Sequence, residues 1–253
     1  MLGIIGGTGL TQLANLEITH RQVGRTPYGE PSGALTFGRI CGQDVIFLAR
    51  HGYGHTIPPH EVNYRANLWA LKDHGVDRVV SVATVGGIHP ELIPGTLVIP
   101  DQIIDYTHGR DATYFVESEK PVTHLDFTFP YCDAMRAALL QAALSAGISL
   151  RDGGVYGAAQ GPRLETAAEI NRMERDGADM VGMTGMPEAY LARELSICYA
   201  TVGAVVNHAA GRGLSADGIQ MEEIQPVLAE VMLQVRHLLE QLVTNDAAGL
   251  CKF

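Results

Sequence analysis

ICYATVGAVVNHAAGRG, residues 197–213, is the stretch on which the reading of this chain turns. Its first half is an apolar run rich in β-formers, the pattern of a strand buried on both faces. The run stops at Asn207-His208 and gives way to small residues and the glycines Gly211 and Gly213. In open α/β sheets, ligands sit beyond the carboxyl ends of strands. A buried strand that ends in an amide therefore marks a candidate site, although an Asn in that place also serves as an ordinary turn cap. The segments before it decide between the two readings.

At 253 residues the chain is long enough for one large α/β domain or two small ones. Its apolar content of 46% is ample for a core, and its net charge of −10 argues against a nucleic-acid partner, which would demand clustered Lys and Arg. The four cysteines, Cys41, Cys132, Cys198 and Cys251, form no C-x-x-C pair, so neither zinc nor a redox pair is expected. Read as free thiols, they fit a reducing compartment. The start, MLGIIGGTGL, lacks the basic and long apolar regions of a signal peptide, and no window reaches the length of a membrane span. The expectation is a cytoplasmic protein with no membrane partner.

In chain order, 2–9 reads as a short buried strand breaking into the turn Gly6-Gly7-Thr8-Gly9. Its backbone can approach an anion closely and Thr8 adds a hydroxyl. It is neither G-x-G-x-x-G nor a Walker loop. Residues 20–49 read as a β-meander whose last strand ends at Arg50-His51-Gly52, where the planar guanidinium suits an oxyanion. His51, His55 and His60 do not make a metal site: glycines and prolines lie between them, and His60-Glu61 lacks the second His of H-E-x-x-H.

A helix is expected over 60–74, then a strand over 78–83 ending at Thr84, and another strand over 96–100. Residues 106–130 show little periodicity and read as a long excursion over a site or into a subunit contact, with His124 in it. Helices follow over 133–146 and 167–175. Glu165 falls just before the second of these, where the helix dipole favours a carboxylate. A strand over 179–182 runs into Met183-Thr184, Pro187-Glu188 opens a helix, and 221–242 is a long amphipathic helix. Strands alternating with helices, and no linker or repeat, give a single α/β domain over 1–245 with a frayed tail at 246–253.

Several strand ends thus carry hydroxyls, glycines, an Arg-His pair, a carboxylate and an amide. In order and spacing, Arg50-His51-Gly52, His55-Thr56-Ile57-Pro58, Val62-Asn63-Tyr64-Arg65-Ala66-Asn67, Gly161-Pro162-Arg163, Met183-Thr184 and Pro187-Glu188 resemble the trimeric purine nucleoside phosphorylase and methylthioadenosine phosphorylase family. The resemblance runs from Gly6 to about Gly211. It implies a mixed, curved central sheet flanked by helices, assembled as a homotrimer. It also implies phosphorolysis, in which a nucleoside and phosphate give a purine and a sugar 1-phosphate. Phosphate would be held at Thr8, Arg50, His51, Ala83, Thr84 and Thr184, with Met183 under the ribose. No metal or organic cofactor is implied.

One departure is informative. Where methylthioadenosine phosphorylases of the family carry Asp-x-Asp, this chain has Asn207-His208-Ala209. Asn207 can donate to a purine O6 or N7, whereas Ala209 can accept nothing from a 6-amino group. Glu165, beside Leu164, would accept from N1–H, which 6-oxopurines have and adenine lacks. An acceptor facing an acceptor costs roughly 1–3 kcal/mol or more, and sites built on such bonds discriminate by about 10⁴–10⁵. Glu165 and Asn207 are the candidate catalytic pair. At the sugar end, 50–67 resembles the methylthioadenosine enzymes. A 5′-methylthio group would need an apolar pocket, expected from Ile219 or Met221, with His55 and a neighbouring subunit's His124 nearby.

The combined expectation is cleavage of 5′-methylthioinosine, with inosine or guanosine second and methylthioadenosine third. A nicotinamide-dependent reductase is disfavoured because no crossover helix follows the first glycine turn and no Tyr-x-x-x-Lys occurs. A non-catalytic nucleoside-binding protein would not need the phosphate residues.

Overall fold

The computed structural model describes residues 1–10, 13–116 and 122–245. The residues expected to form a frayed tail lie outside this set. Eleven strands form one mixed sheet, as the α/β reading expects. The edge is the meander β2 (Glu17–Gln22), β3 (Leu35–Ile40) and β4 (Gln43–Ala49). β4 pairs in parallel with β1 (Leu2–Gly6), and β1 pairs in parallel with β5 (Arg78–Gly87). Beyond β5 come the short strands β10 (Met180–Gly182), β9 (Val155–Ala158) and β7 (Gln102–Asp105). β11 (Cys198–His208) lies along the other edge of β5 and joins β6 (Leu97–Ile99), which pairs with β8 (Leu150–Asp152).

β5 creates the space for a site. β11 follows one of its edges from Arg78 to Gly87. On the opposite edge β1 pairs only as far as Ser81, and β10 joins at Gly86. Residues Val82, Ala83, Thr84 and Val85 therefore run along an opening in the sheet, where backbone groups can serve a ligand or a side chain instead of a neighbouring strand.

The central strands alternate between two apolar layers. In β11, Cys198, Ala200, Val202 and Ala204 face one layer and Tyr199 the other, until a bulge between Val205 and Asn207 shifts the register. α2 (Asp133–Ala146) and α5 (Met221–Asn245) cover the first layer, while α1 (Tyr64–Asp73) and α4 (Gly185–Glu194) cover the second. Thr166 and Glu169 form a reciprocal capping box at the start of α3 (Ala167–Asp176), which fixes where the preceding loop must end. Among the described residues no helix is long and apolar enough to cross a membrane.

Free thiols are not what the structure shows for two of the cysteines. Cys132 and Cys198 form a disulfide across 66 residues of sequence. Cys132 ends the coil before α2, and its backbone N–H donates to the Tyr199 carbonyl at 2.8 Å, which seats it beside the start of β11. The spacing in sequence carries no trace of this tertiary contact, and the inference of a reducing compartment loses its premise. Cys41 is free and exposed.

Candidate active site

The opening beside β5 leads into a cavity of about 460 Å³. The carboxyl ends of β1, β4, β5, β10 and β11 surround it, contributing Thr8, Arg50, His51, Ala83, Thr84, Met183, Thr184 and Asn207 to its lining. Loops add His55, Leu164 and Glu165, and Ala209 closes the wall behind Asn207. Most of the residues expected to bind phosphate, sugar and base are thus brought to one cavity.

Arg50 is fully buried, and its fork is largely committed to the protein. Nε and Nη2 donate to the two Glu188 carboxylate oxygens at 2.7 and 3.0 Å, Nη2 also to Ser81 Oγ at 2.5 Å, and Nη1 to the Val82 carbonyl at 3.0 Å. Four of five N–H groups are used, leaving one on Nη1. A Cβ on Gly7 would stand 2.8 Å from that nitrogen and 2.7 Å from the Val82 oxygen, so only glycine lets the first turn close over the guanidinium. Burial alone would lower the guanidinium's pKa, but the Glu188 charge outweighs it and holds Arg50 protonated. The pair is neutral as a unit. Glu188 also accepts from Ser81 Oγ and from Tyr199 Oη, at 2.6 and 2.8 Å.

His51 is neutral as well. Burial first, and the nearby Arg50 charge second, depress its pKa to about 4. Its Nδ1 lies 2.8 Å from the Ile57 carbonyl, which can only accept, so Nδ1 carries the hydrogen. A group depressed from 6.5 to about 4 adds stability that is present above pH 6.5 and lost as pH falls through about 4. The melting temperature should therefore fall across that window, and fall less in His51→Asn. Equal slopes in the two proteins would remove His51 as the cause.

At the other end, the Glu165 carboxyl is held above the ordinary carboxylate range by burial. It directly precedes the capping residue Thr166, and Arg163 is occupied by Glu169 at 2.7 and 2.8 Å rather than by Glu165. The Asn207 amide donates one hydrogen to the His208 carbonyl at 2.6 Å. Its second N–H and its oxygen remain for a ligand. Gly161, at φ +64°, lets the Met183 sulfur approach to 2.5 Å of where a Cβ would stand, and so shapes the floor between the two ends.

Two expected positions fall elsewhere, and a third, His124, was expected only from a neighbouring subunit. His208 lies outside the lining, because the bulge in β11 leaves its ring packed on Gly213. Ile219 precedes α5 in coil and does not reach the cavity; Met221, Ile224 and Leu228, which share one face of that helix, do. His124 is exposed and outside its own chain's cavity.

The family model described as the phosphorylase superfamily matches residues 1–244. The chain belongs to the phosphorylase superfamily. It is 50% identical over 241 residues to a probable S-methyl-5′-thioinosine phosphorylase of Pseudomonas syringae pv. tomato, covering 95% of this chain and 97% of that one. It is 48% identical over 215 residues to the 6-oxopurine nucleoside phosphorylase of Pyrococcus furiosus, covering 83% and 80%. Among solved structures, methylthioadenosine phosphorylase from Schistosoma mansoni in complex with adenine superposes with a TM-score of 0.93 at 31% identity, covering 98% of this chain and 92% of that one.

Two residues of this phosphorylase-superfamily site escaped the sequence reading. Glu188 was marked as a helix opener and as part of the family motif but given no role in the site, yet it is the buried counter-charge of Arg50. Arg110 lies in the aperiodic segment and donates to the carbonyls of two loops that line the cavity. No periodicity signals it. A lone Arg among polar loop residues looks like surface.

Proposed function

We propose that the chain catalyses phosphorolysis of a 6-oxopurine 5′-methylthionucleoside: 5′-methylthioinosine and phosphate give hypoxanthine and 5-methylthioribose 1-phosphate. The observation that carries the reading is one cavity lined by Glu165 and Asn207 together with Thr8, Thr84, Thr184 and the neutralised Arg50; on this reading the first two serve the base and the others the phosphate. Glu165 accepts from purine N1–H, and the free N–H of Asn207 donates toward O6 and N7. An adenine would set its N1 lone pair against the carboxylate, and Ala209 offers nothing to a 6-amino group.

Hydroxyls, backbone amides and one N–H hold the phosphate without a surplus of positive charge, so it keeps its nucleophilicity. An oxygen of hydrogen phosphate forms a bond to C1′ from the face opposite the base. The C1′–N9 bond breaks with its electron pair leaving on the purine, and the phosphate's proton ends on the purine. Asn207 strengthens its hydrogen bond as negative charge builds on the base, which is selective stabilisation of the transition state. Nothing in this sequence of events calls for a cofactor.

Met221, Ile224 and Leu228 support the methylthio group. They form an apolar wall, with Leu228 packed near Gly9 in the turn that carries Thr8. The exposed apolar side chains Phe115, Val116 and Phe129 on the long excursion support a subunit contact; that the assembly is a homotrimer is carried over from the family resemblance. A cytoplasmic location belongs to the same proposal, resting on the family resemblance and not on free thiols.

A base-release assay with methylthioinosine, inosine and methylthioadenosine, each with and without phosphate, tests it. Phosphate-dependent release should be fastest from methylthioinosine. Inosine in first place would remove the role of the apolar wall; methylthioadenosine in first place would remove that of Glu165 and Asn207; release without phosphate would mean hydrolysis. In Ile224→Thr, kcat/KM for methylthioinosine should fall about tenfold relative to inosine, the usual scale for a pocket that loses apolar contact.

A further inference from the structure

We propose that Arg110 is a positioning residue that sets the distance between the phosphate end and the base end of the cavity; the proposal rests on the phosphorolysis reading above. Its Nη1 donates to the carbonyls of Met183 and Met186, at 2.8 and 2.6 Å, which bracket Thr184. Its Nη2 donates to the carbonyls of Gln160 and Ala159, at 2.7 and 3.4 Å, just ahead of the loop that ends in Glu165. The guanidinium stacks over Tyr64, 5.5 Å from the ring centre, and Tyr64 Oη donates to the Pro59 carbonyl at 2.8 Å. Nε is buried without a partner. Nη1 also donates to Tyr64 Oη at 3.3 Å, and the other four bonds run to backbone oxygens on two loops, so Arg110 binds the paths of those loops rather than a counter-ion.

The geometry gives these contacts their consequence. Most cavity residues sit at strand ends, held by the sheet. Thr184, two residues past the end of β10, and Glu165 depend also on the β10–α4 and β9–α3 loops, and Arg110 joins the two. Attack on C1′ requires the phosphate oxygen and the departing base to be held in line on opposite faces of the sugar. A displacement of about 1 Å in such an arrangement costs on the order of 100-fold in rate. Each subsite keeps its own binding groups without Arg110; what is lost is their alignment. The planar fork is suited to this because one group reaches carbonyls on both sides, which an ammonium does not do.

The test compares wild type with Arg110→Lys and Arg110→Ala in the full chain. Expected are a kcat lower by about 10-fold in Arg110→Lys and about 100-fold in Arg110→Ala, with KM for phosphate and for nucleoside each within about threefold of wild type. Added guanidinium chloride at low millimolar concentration should restore at least part of the Arg110→Ala kcat and leave wild type unchanged. A kcat near wild type in either folded variant would overturn the proposal, as would a loss that appears only in KM. If Arg110→Ala does not fold, Arg110→Lys decides alone by the same split. Wild type that releases no base with phosphate would overturn the functional reading itself, and this proposal with it; active wild type with indifferent variants overturns only the proposal.

Discussion

Glu188→Gln should lower the melting temperature and cut kcat about 100-fold without raising the KM for phosphate. Arg50 is fully buried, and Glu188 is its counter-charge, itself about 1% exposed. Removing one member of such a pair costs about 3–5 kcal/mol, because the other is left buried and charged. That is a large share of the roughly 5–15 kcal/mol that keeps a domain folded. Gln retains the shape but has one acceptor oxygen for a fork, a serine and a tyrosine that now share two. Phosphate would become the nearest anion to an uncompensated guanidinium. It should then bind at least as tightly and stabilise the variant against heat more than it stabilises wild type. Tighter binding of the attacking group in its ground state lowers kcat rather than raising it. Thermal melts with and without phosphate, together with phosphate saturation curves, check this. A higher KM with unchanged kcat would mean that Glu188 only holds Arg50 in place and does not tune the charge of the site.

The strand-end half of the site was legible in the sequence, and the reason is local. An apolar run followed by Gly, Thr or Asn reports both a buried strand and its end, so Thr8, Arg50, Thr84, Thr184 and Asn207 could each be marked at a strand end from the α/β pattern, while their gathering into one site was what the family resemblance implied. The loop before α3 was read only through Glu165 at the start of the helix; the capping box of Thr166 and Glu169 came from the structure. What could not be read depends on side chains meeting across the fold. Glu188 finds Arg50 from 138 residues away, and Cys198 finds Cys132 from 66. The short strands β7 and β8 carry too few residues to show a period. The helix start at Met221 is legible in the sequence and Met221 does line the cavity; what the sequence did not show is that Ile224 and Leu228 on the same helix face join it while Ile219, in the coil before, does not.

Glu165→Gln carries the largest change in specificity. On the proposed reading its carboxylate demands a hydrogen on purine N1. Gln offers an amide that can turn either its oxygen or its N–H₂ toward the ring. The charge-assisted bond to a 6-oxopurine is lost and the clash with adenine is relieved. kcat/KM for methylthioinosine should fall by about 10²–10³ while that for methylthioadenosine holds or rises, narrowing a ratio that sites of this kind keep near 10⁴. The pH profile adds a second readout. Burial holds the Glu165 pKa above the ordinary 4.5, so the acceptor is lost to protonation sooner on acidification than an exposed Glu would be. The acid limb of kcat/KM for methylthioinosine should start above the usual carboxylate range in wild type and vanish in Glu165→Gln. Stability should move the other way. A carboxyl whose folded pKa is raised contributes stability that is fully present below its unfolded value and is lost as pH rises through the folded one, so at neutral pH its ionised form is a cost. Glu165→Gln removes that cost and should melt at or above wild type while losing its substrate. A variant that lost activity equally on both nucleosides, or that melted lower, would place Glu165 in the scaffold and leave the choice of base to other groups.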